Sequence, residues 1–194
     1  MYFCRPKGGG TENFMLLRRI NAVISLLLSF LLIFHAGTLS VWMLSRCSIA
    51  KPADFFSFIL MPLIVVHILL SLIPAILAHK GREKHPSKSY PKMNLPTVIQ
   101  RATGILMIVL LPFHLTGAAN HYQPKMLHAV LHPLFFAVIM AHTSISVSKA
   151  LITLGIGGAK TVKIVNAIMR VLCMAVLVMG VIGFEICLFV GVAK

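Results

Sequence analysis

Long apolar runs separated by short polar connections make up most of this chain. Crossing a hydrocarbon core as a helix takes about 20 apolar residues, and five runs reach that length. They cover residues 20–45, 55–78, 98–119, 127–152 and 165–191. The pattern predicts an all-α membrane protein with five transmembrane helices in one bundle, forming a single domain over residues 1–194.

The composition agrees with this pattern. Hydrophobic residues make up 58% of the 194 residues, and only four residues are acidic. A soluble globule of this size needs more polar surface than such a chain can supply. The first apolar run is too long for the core of a signal peptide, and no small-residue cleavage site follows it. We therefore expect it to remain as the first helix.

The 18 lysines and arginines give a formal charge of +14, which raises the question of a nucleic-acid partner. They lie at the ends of the apolar runs, however, and no nucleic-acid-binding motif accompanies them, so we expect no such partner. The excess is concentrated before the first run and in the connection "HKGREKHPSKSYPK". The positive-inside rule then predicts a cytoplasmic N-terminus and an external C-terminus.

The four cysteines are scattered along the chain and form no CxxC pair. They are Cys4, Cys47, Cys173 and Cys187. This spacing indicates packing or surface thiols rather than a disulfide framework or a metal site.

A two-helix unit occurs twice in the sequence. The segment "INAVISLLLSFLLIFHAGT" aligns with "IQRATGILMIVLLPFHLTG", and "FILMPLIVVH" aligns with "PLFFAVIMAH". The fifth helix is left over. Each of the first four helices thus carries one histidine deep in its apolar run: His35, His67, His114 and His142.

These histidines fall at two depths. With a rise of about 1.5 Å per residue, His35 and His114 lie roughly 22 Å from the expected cytoplasmic edge. His67 and His142 lie roughly 12 to 17 Å from the same edge. The spacing predicts two histidine pairs at two levels of the bilayer.

An ionisable side chain at such depth is costly without a partner, so it indicates a functional site. One interpretation is four neutral imidazoles that are hydrogen-bonded within the bundle. A zinc or di-iron site needs three or more ligands at one level, often with carboxylates. Two facing imidazoles are instead a suitable clamp for haem iron. Two pairs then predict two stacked haems that carry electrons across the bilayer.

Two segments resemble the cytochrome b membrane anchors of succinate dehydrogenases and quinol:fumarate reductases. They are "IQRATGILMIVLLPFHL" and "FFAVIMAHTSISVSKALITLGI". The five-helix, two-haem branch of that family has its ligands on helices one to four, an arrangement that this sequence repeats over nearly its whole length. The resemblance implies two b haems, with His35 and His114 at the distal iron and His67 and His142 at the proximal iron.

The resemblance also implies a function and partners. The chain is expected to carry electrons between an iron-sulfur subunit and the quinone pool, with menaquinone as the expected quinone. Dicarboxylate chemistry would belong to a partner flavoprotein with FAD, docked with the iron-sulfur subunit on the cytoplasmic face. The implied location is the bacterial cytoplasmic membrane, surrounded by lipid. One residue departs from the family: Met140 stands where some fumarate reductases carry a glutamate of a transmembrane proton path.

A quinone site needs hydrogen-bond donors and a group that exchanges protons. Glu185 is the expected proton acceptor, with a bond inside the bundle as the alternative. Asp54 is a candidate quinone contact, although a cap of the second helix is the favoured interpretation. His128 and His132 share one helix face and are expected to line a quinone pocket rather than bind a metal. Arg101 and Thr97 are expected quinone or haem-propionate contacts, with a simple positive-inside anchor as the alternative for Arg101.

Two other functions remain open at this point. One is the cytochrome b subunit of a formate dehydrogenase or hydrogenase, many of which hang both haems from two histidines of a single helix. The other is a proton-coupled transporter with histidine relays, which predicts no haem and paired mid-helix breaks. Pro62, Pro74 and Pro112 are single kinks at most.

Overall fold

The computed structural model describes residues 10–45, 55–84, 95–119 and 125–186, and these form five helices. Apolar sequences of this length become helical in a membrane because a helix satisfies its own backbone hydrogen bonds. The helices are α1 (Gly10–Leu44), α2 (Phe55–Lys84), α3 (Leu95–Ala119), α4 (Lys125–Leu154) and α5 (Ala159–Glu185).

The all-helical membrane character predicted from the sequence is confirmed. Four helices contain stretches long and apolar enough to cross a membrane: Met15–Leu44, Leu95–Leu115, Ala129–Leu154 and Ala159–Glu185. Within the described part of α2, the apolar stretch is the shorter Phe58–Ile73. Several helices begin earlier than the apolar runs suggested, because helical hydrogen bonding continues into flanking polar residues. The predicted end of the fifth helix, at residue 191, lies outside the described residues.

The helices run alternately up and down. Consecutive helices are antiparallel. A cross-helix bond joins the start of α3 to the end of α4, and another joins Asn21 in the first half of α1 to Ser71 just past the middle of α2. Helix α5 runs parallel to α1. We call the end at which α1, α3 and α5 begin the base of the bundle, and the opposite end the top. Helix α4 is central, since it packs against α1, α3 and α5.

The apolar core lies where α1, α4 and α5 meet. Ala36, Phe136, Met140, Cys173 and Val176 form one buried cluster. Met140 is only 3% exposed, so the position that departs from the family pattern is filled here by packed hydrocarbon. Cys173 is a free, buried thiol, as predicted for a packing cysteine, whereas the other three cysteines lie outside the described residues.

Helices α1 and α5 approach closely at two glycines. A Cβ atom added at Gly180 would overlap the Phe136 ring and lie 3.1 Å from the Ser40 hydroxyl oxygen. One added at Gly183 would lie 3.0 Å from Met43 Cβ and 3.2 Å from the Ser40 carbonyl oxygen. Small residues allow such contacts, which stabilise helix pairs in lipid through van der Waals packing. Ser40 is fully buried and donates its hydroxyl to the Ala36 carbonyl at 2.6 Å.

Gly180→Val should therefore loosen the junction of α1, α4 and α5. Overpacking a filled site costs about 1 to 3 kcal/mol of unfolding free energy. Unfolding of the purified protein in mixed micelles with increasing sodium dodecyl sulfate, followed by fluorescence of the single Trp42, measures this change.

Gly37→Ala is the matched control, because a Cβ added at Gly37 meets nothing within 4 Å. It should leave stability unchanged or raise it slightly, since alanine favours the helix over glycine. Equal midpoints for Gly180→Val and the parent protein would contradict the close packing of α1 and α5.

Candidate functional site

Polar side chains join α3 to α4 on successive turns. Lys149 donates from Nζ to Thr97 Oγ1 at 2.9 Å, and Gln100 donates from Nε2 to Ser146 Oγ at 3.0 Å. A third bridge, one turn further from the base, joins Thr103 to His142. We call this set the polar seam; it consists of Thr97, Gln100, Thr103, His142, Ser146 and Lys149. Such bonds hold two helices in one register, because slipping would leave polar groups in an apolar environment.

The polar seam fixes the tautomer of His142. Its Nδ1 lies 3.1 Å from the Gln100 carbonyl oxygen and 3.1 Å from Thr103 Oγ1. A carbonyl oxygen can only accept, so Nδ1 carries the proton and donates it. The Thr103 hydroxyl in turn donates to the Ile99 carbonyl at 2.8 Å. The Nε2 atom of His142 consequently has the free lone pair, which is the arrangement of a metal-binding histidine.

Gly104 makes room for that ring. A Cβ atom at this position would lie 3.3 Å from His142 Cε1, which is tighter than an ordinary contact. The segment "ATG" thus supplies a hydroxyl partner and a close backbone approach within two residues. This gives the threonine-glycine pair in the sequence a local physical purpose.

His67 of α2 lies within electrostatic range of His142 of α4. Its Nδ1 atom is buried and makes no hydrogen bond within the described part of the chain. Helix α2 packs extensively against α1, and in the described residues no comparable packing joins α2 to α4. The two imidazoles are therefore within electrostatic range of each other, although the helices that carry them pack little on one another in the described residues.

A second histidine cluster lies nearer the top. The rings of His114 and His132 have centroids 4.9 Å apart, and His114 also packs on Phe135 at 4.7 Å. Phe184 of α5 stacks on His132 at 4.3 Å with an interplanar angle of 14°. Three helices thus contribute aromatic rings to one cluster. We call these four residues the aromatic cluster.

Two prolines adjoin the aromatic cluster. Pro112 precedes His114 by two residues in α3, and Pro133 directly follows His132 in α4. Proline has no backbone N–H and clashes with the preceding turn, so each weakens one turn of its helix next to a histidine. Membrane helices accept such breaks where neighbouring helices cover the backbone.

His35 lies half-buried on α1, and its carbonyl oxygen accepts a bond from the Thr38 hydroxyl at 3.1 Å. Helices α1 and α3 both pack against α4. The pairing of His35 with His114 stays a prediction, whereas the contact of His114 with His132 is a finding that the depths alone did not predict.

The remaining predicted site residues divide between the two ends. Glu185 is the half-buried last residue of α5 and directly follows Phe184, which places it beside the aromatic cluster. Arg101 is exposed near the base, one turn after Thr97. Asp54 lies outside the described residues, as does the side chain of His128.

Sequence reasoning missed four residues that position the histidines. They are Gln100, Thr103, Lys149 and Phe184. A usable signal existed for the first two, because Thr97, Gln100 and Thr103 recur every three residues and so mark one face of α3. Nothing comparable marks Phe184, which is one of twelve phenylalanines.

In the described part of the chain, no three His, Cys, Asp or Glu side chains converge so as to hold a metal ion directly. A group that brings most of its own ligands, such as a porphyrin, asks the protein for only two. His67 and His142 fit that requirement: they lie within electrostatic range of each other, and the polar seam leaves Nε2 of His142 available. Comparisons with protein-family models, curated proteins and solved structures found no match for this chain.

The bond between Gln100 and Ser146 should contribute measurably to stability. Hydrogen bonds between membrane helices contribute about 0.6 kcal/mol on average and at most about 1.7 kcal/mol. A double-mutant cycle with Gln100→Ala and Ser146→Ala, measured by unfolding in mixed micelles, should give a coupling energy in this range.

Ser144→Ala is the matched control, because Ser144 bonds the Ala141 carbonyl of its own helix at 3.0 Å. Combined with Gln100→Ala it should give additive effects. A coupling with Ser144 as large as that with Ser146 would contradict the register of the polar seam.

Proposed function

We propose that this chain is the dihaem cytochrome b membrane anchor of a succinate:quinone oxidoreductase. The observation that carries the proposal is the approach of His67 and His142 with the tautomer of His142 fixed by α3. Two imidazoles from different helices, one of them prearranged to present Nε2, suit the axial positions of a haem. The family resemblance supplies the physiological context.

Four histidines hold the two haems in this proposal. His67 and His142 would bind the one nearer the base, and His35 and His114 the one nearer the top. Bound haem iron supplies one-electron transfer. The protein provides the orientation: Thr103 and the Gln100 carbonyl hold one ring at the inner level, and His132 and Phe135 pack the ring of His114 at the outer level.

The quinone site lies near the top in this proposal. Quinone reduction consumes protons as well as electrons, so the pocket needs a hydrogen-bond donor and a proton-exchanging group. His132 offers a ring N–H, and the carboxyl of Glu185 follows the ring that stacks on His132. His128 and Asp54 are further candidates from the sequence. Menaquinone is the expected quinone, and Arg101 and Thr97 would serve the base side.

The dicarboxylate reaction takes place in partner subunits under this proposal. A flavoprotein with FAD and an iron-sulfur subunit would dock on the base, where the sequence is most basic. The membrane is then the bacterial cytoplasmic membrane with the base facing the cytoplasm. This chain contributes the electron path and the quinone chemistry.

One observation favours a second candidate, a transporter with a histidine relay. His114 and His132 lie on neighbouring helices with their rings in contact, as successive members of a relay would. The two candidates separate on haem content: a relay needs none, whereas the cytochrome holds two haems per chain.

His142→Ala should remove one haem and leave the other. A pyridine haemochrome assay on the purified protein should fall from two haems per chain to one, because one axial ligand is lost from the inner pair. His67→Ala should remove the same spectral component, and His35→Ala and His114→Ala should both remove the other.

His132→Ala is the matched control, since it removes a ring in contact with His114 without removing a proposed ligand. It should keep two haems. If His132→Ala loses a haem and His35→Ala keeps both, the outer ligand is His132 and not His35. If the parent protein contains no haem, the cytochrome function is rejected and the histidine relay is the surviving candidate.

Glu185→Gln should slow quinone turnover and leave both haem spectra unchanged, because it removes the proton-accepting carboxylate but keeps the side-chain size. Losing one general acid or base typically costs about 100- to 10,000-fold in rate. Quinol oxidation by the intact complex, followed optically, measures it. Unchanged turnover would return Glu185 to a structural role.

A further inference from the structure

Two cations lie side by side near the base of the α3–α4 hairpin. Lys149 Nζ donates to Thr97 Oγ1 at 2.9 Å, and the Arg101 guanidinium lies within electrostatic range of Lys149. We call Arg101 and Lys149 the basic pair. Like charges at close range repel, so an anion bound between them would stabilise the arrangement.

The chain offers few anions of its own. It has four acidic residues, and Glu185 is the one carboxylate among the side chains that the structure describes. Glu185 ends α5 at the top, whereas the basic pair lies near the base on α3 and α4. Among the described side chains the basic pair thus has no carboxylate partner, and a ligand anion can supply the negative charge.

The basic pair lies near the base ends of its two spans, where the long side chains of arginine and lysine can extend to lipid phosphates. Thr97 and Arg101 lie in the first two turns of the span Leu95–Leu115, and Lys149 lies shortly before the end of the span Ala129–Leu154. With a rise of about 1.5 Å per residue, all three lie within roughly 9 Å of the ends of their spans. Arg101 is exposed and Lys149 is half-buried, so the pair opens outward from the bundle.

We propose that Thr97, Arg101 and Lys149 bind the phosphate of an anionic phospholipid. Arg101 can present two parallel N–H groups to phosphate oxygens, and Lys149 adds a point charge. The Thr97 hydroxyl holds the ammonium group of Lys149 in place. The first amide groups of α3 add partial positive charge at the same end. This site replaces the quinone or haem-propionate role that the proposed function gives to Arg101 and Thr97, and it does not depend on the haems.

The polar seam separates this site from the inner histidine. The bond from Gln100 to Ser146 lies between the Lys149–Thr97 bridge and His142, and it closes α3 on α4 at that level. Arg101 is exposed on the surface of α3, so a lipid phosphate can reach the basic pair from the bilayer. This accessibility favours a lipid partner.

Lipid retention tests the proposal. The purified protein, in nanodiscs of phosphatidylcholine mixed with phosphatidylglycerol, is returned to detergent and examined by native mass spectrometry. The parent protein should retain phosphatidylglycerol in preference to phosphatidylcholine. Lys149→Gln and Arg101→Gln should each lower that preference about fivefold, which corresponds to about 1 kcal/mol for one cation near an anionic surface.

Lys163→Gln is the matched control, because Lys163 is an exposed cation in the first turns of α5 at the same end. It should keep the preference, as should the charge-preserving Lys149→Arg, which also reports on correct folding. Equal preference in the parent protein and both glutamine variants would overturn the site. An equal loss in Lys163→Gln would overturn it too, since it would show a diffuse basic surface.

A haem propionate as the true partner gives a different result. In that case Lys149→Gln would leave lipid retention unchanged and shift the midpoint potential of one haem, which overturns the lipid site and leaves the proposed function standing. If the glutamine variants lose the preference for phosphatidylglycerol and the parent protein contains no haem, the result supports the lipid site and rejects the proposed function.

Discussion

A polar group between these helices is costly unless it has a partner inside the protein, because lipid offers none. Most hydroxyls meet this constraint within their own helix, as Ser29 does by donating to the Ser25 carbonyl at 2.7 Å. The polar seam meets it across two helices. The bonds of Gln100, Ser146 and His142 therefore have a second effect. Besides pairing these polar groups, they fix the register and rotation of α3 against α4.

The bundle uses two kinds of helix contact, and α4 takes part in both. Toward α3 it is held by the polar seam, and toward α1 and α5 it packs Phe136 over the flat surface at Gly180. Helix α2 is attached differently. In the described residues it packs extensively on α1, and the side-chain amide of Asn21 donates to the Ser71 hydroxyl at 3.2 Å. His67 is nevertheless within electrostatic range of His142 of α4. The described residues therefore bring these two histidines near each other without extensive packing between α2 and α4.

The helices could be predicted from the sequence, because apolar length determines them. The rotation of each helix could not. Lipid and protein interior are both apolar, so the composition differs little around each helix and does not reveal its buried face. Thr97, Gln100 and Thr103 were the available markers of that face. The stacking of Phe184 on His132 had no such marker, which is why the meeting of α3, α4 and α5 in the aromatic cluster emerged only from the structure.

The two histidine levels differ in kind, and this follows from their neighbours. At the inner level His142 donates Nδ1–H to a backbone carbonyl, which raises the basicity of its Nε2. At the outer level His114 packs against the rings of His132 and Phe135, both on α4. Haem potentials respond to hydrogen bonding of the axial ligand and to the polarity around it. Under the proposed function, the two haems would therefore differ in potential. The hydrogen bond from His142 to a backbone carbonyl would set one potential, and the aromatic packing around His114 would set the other.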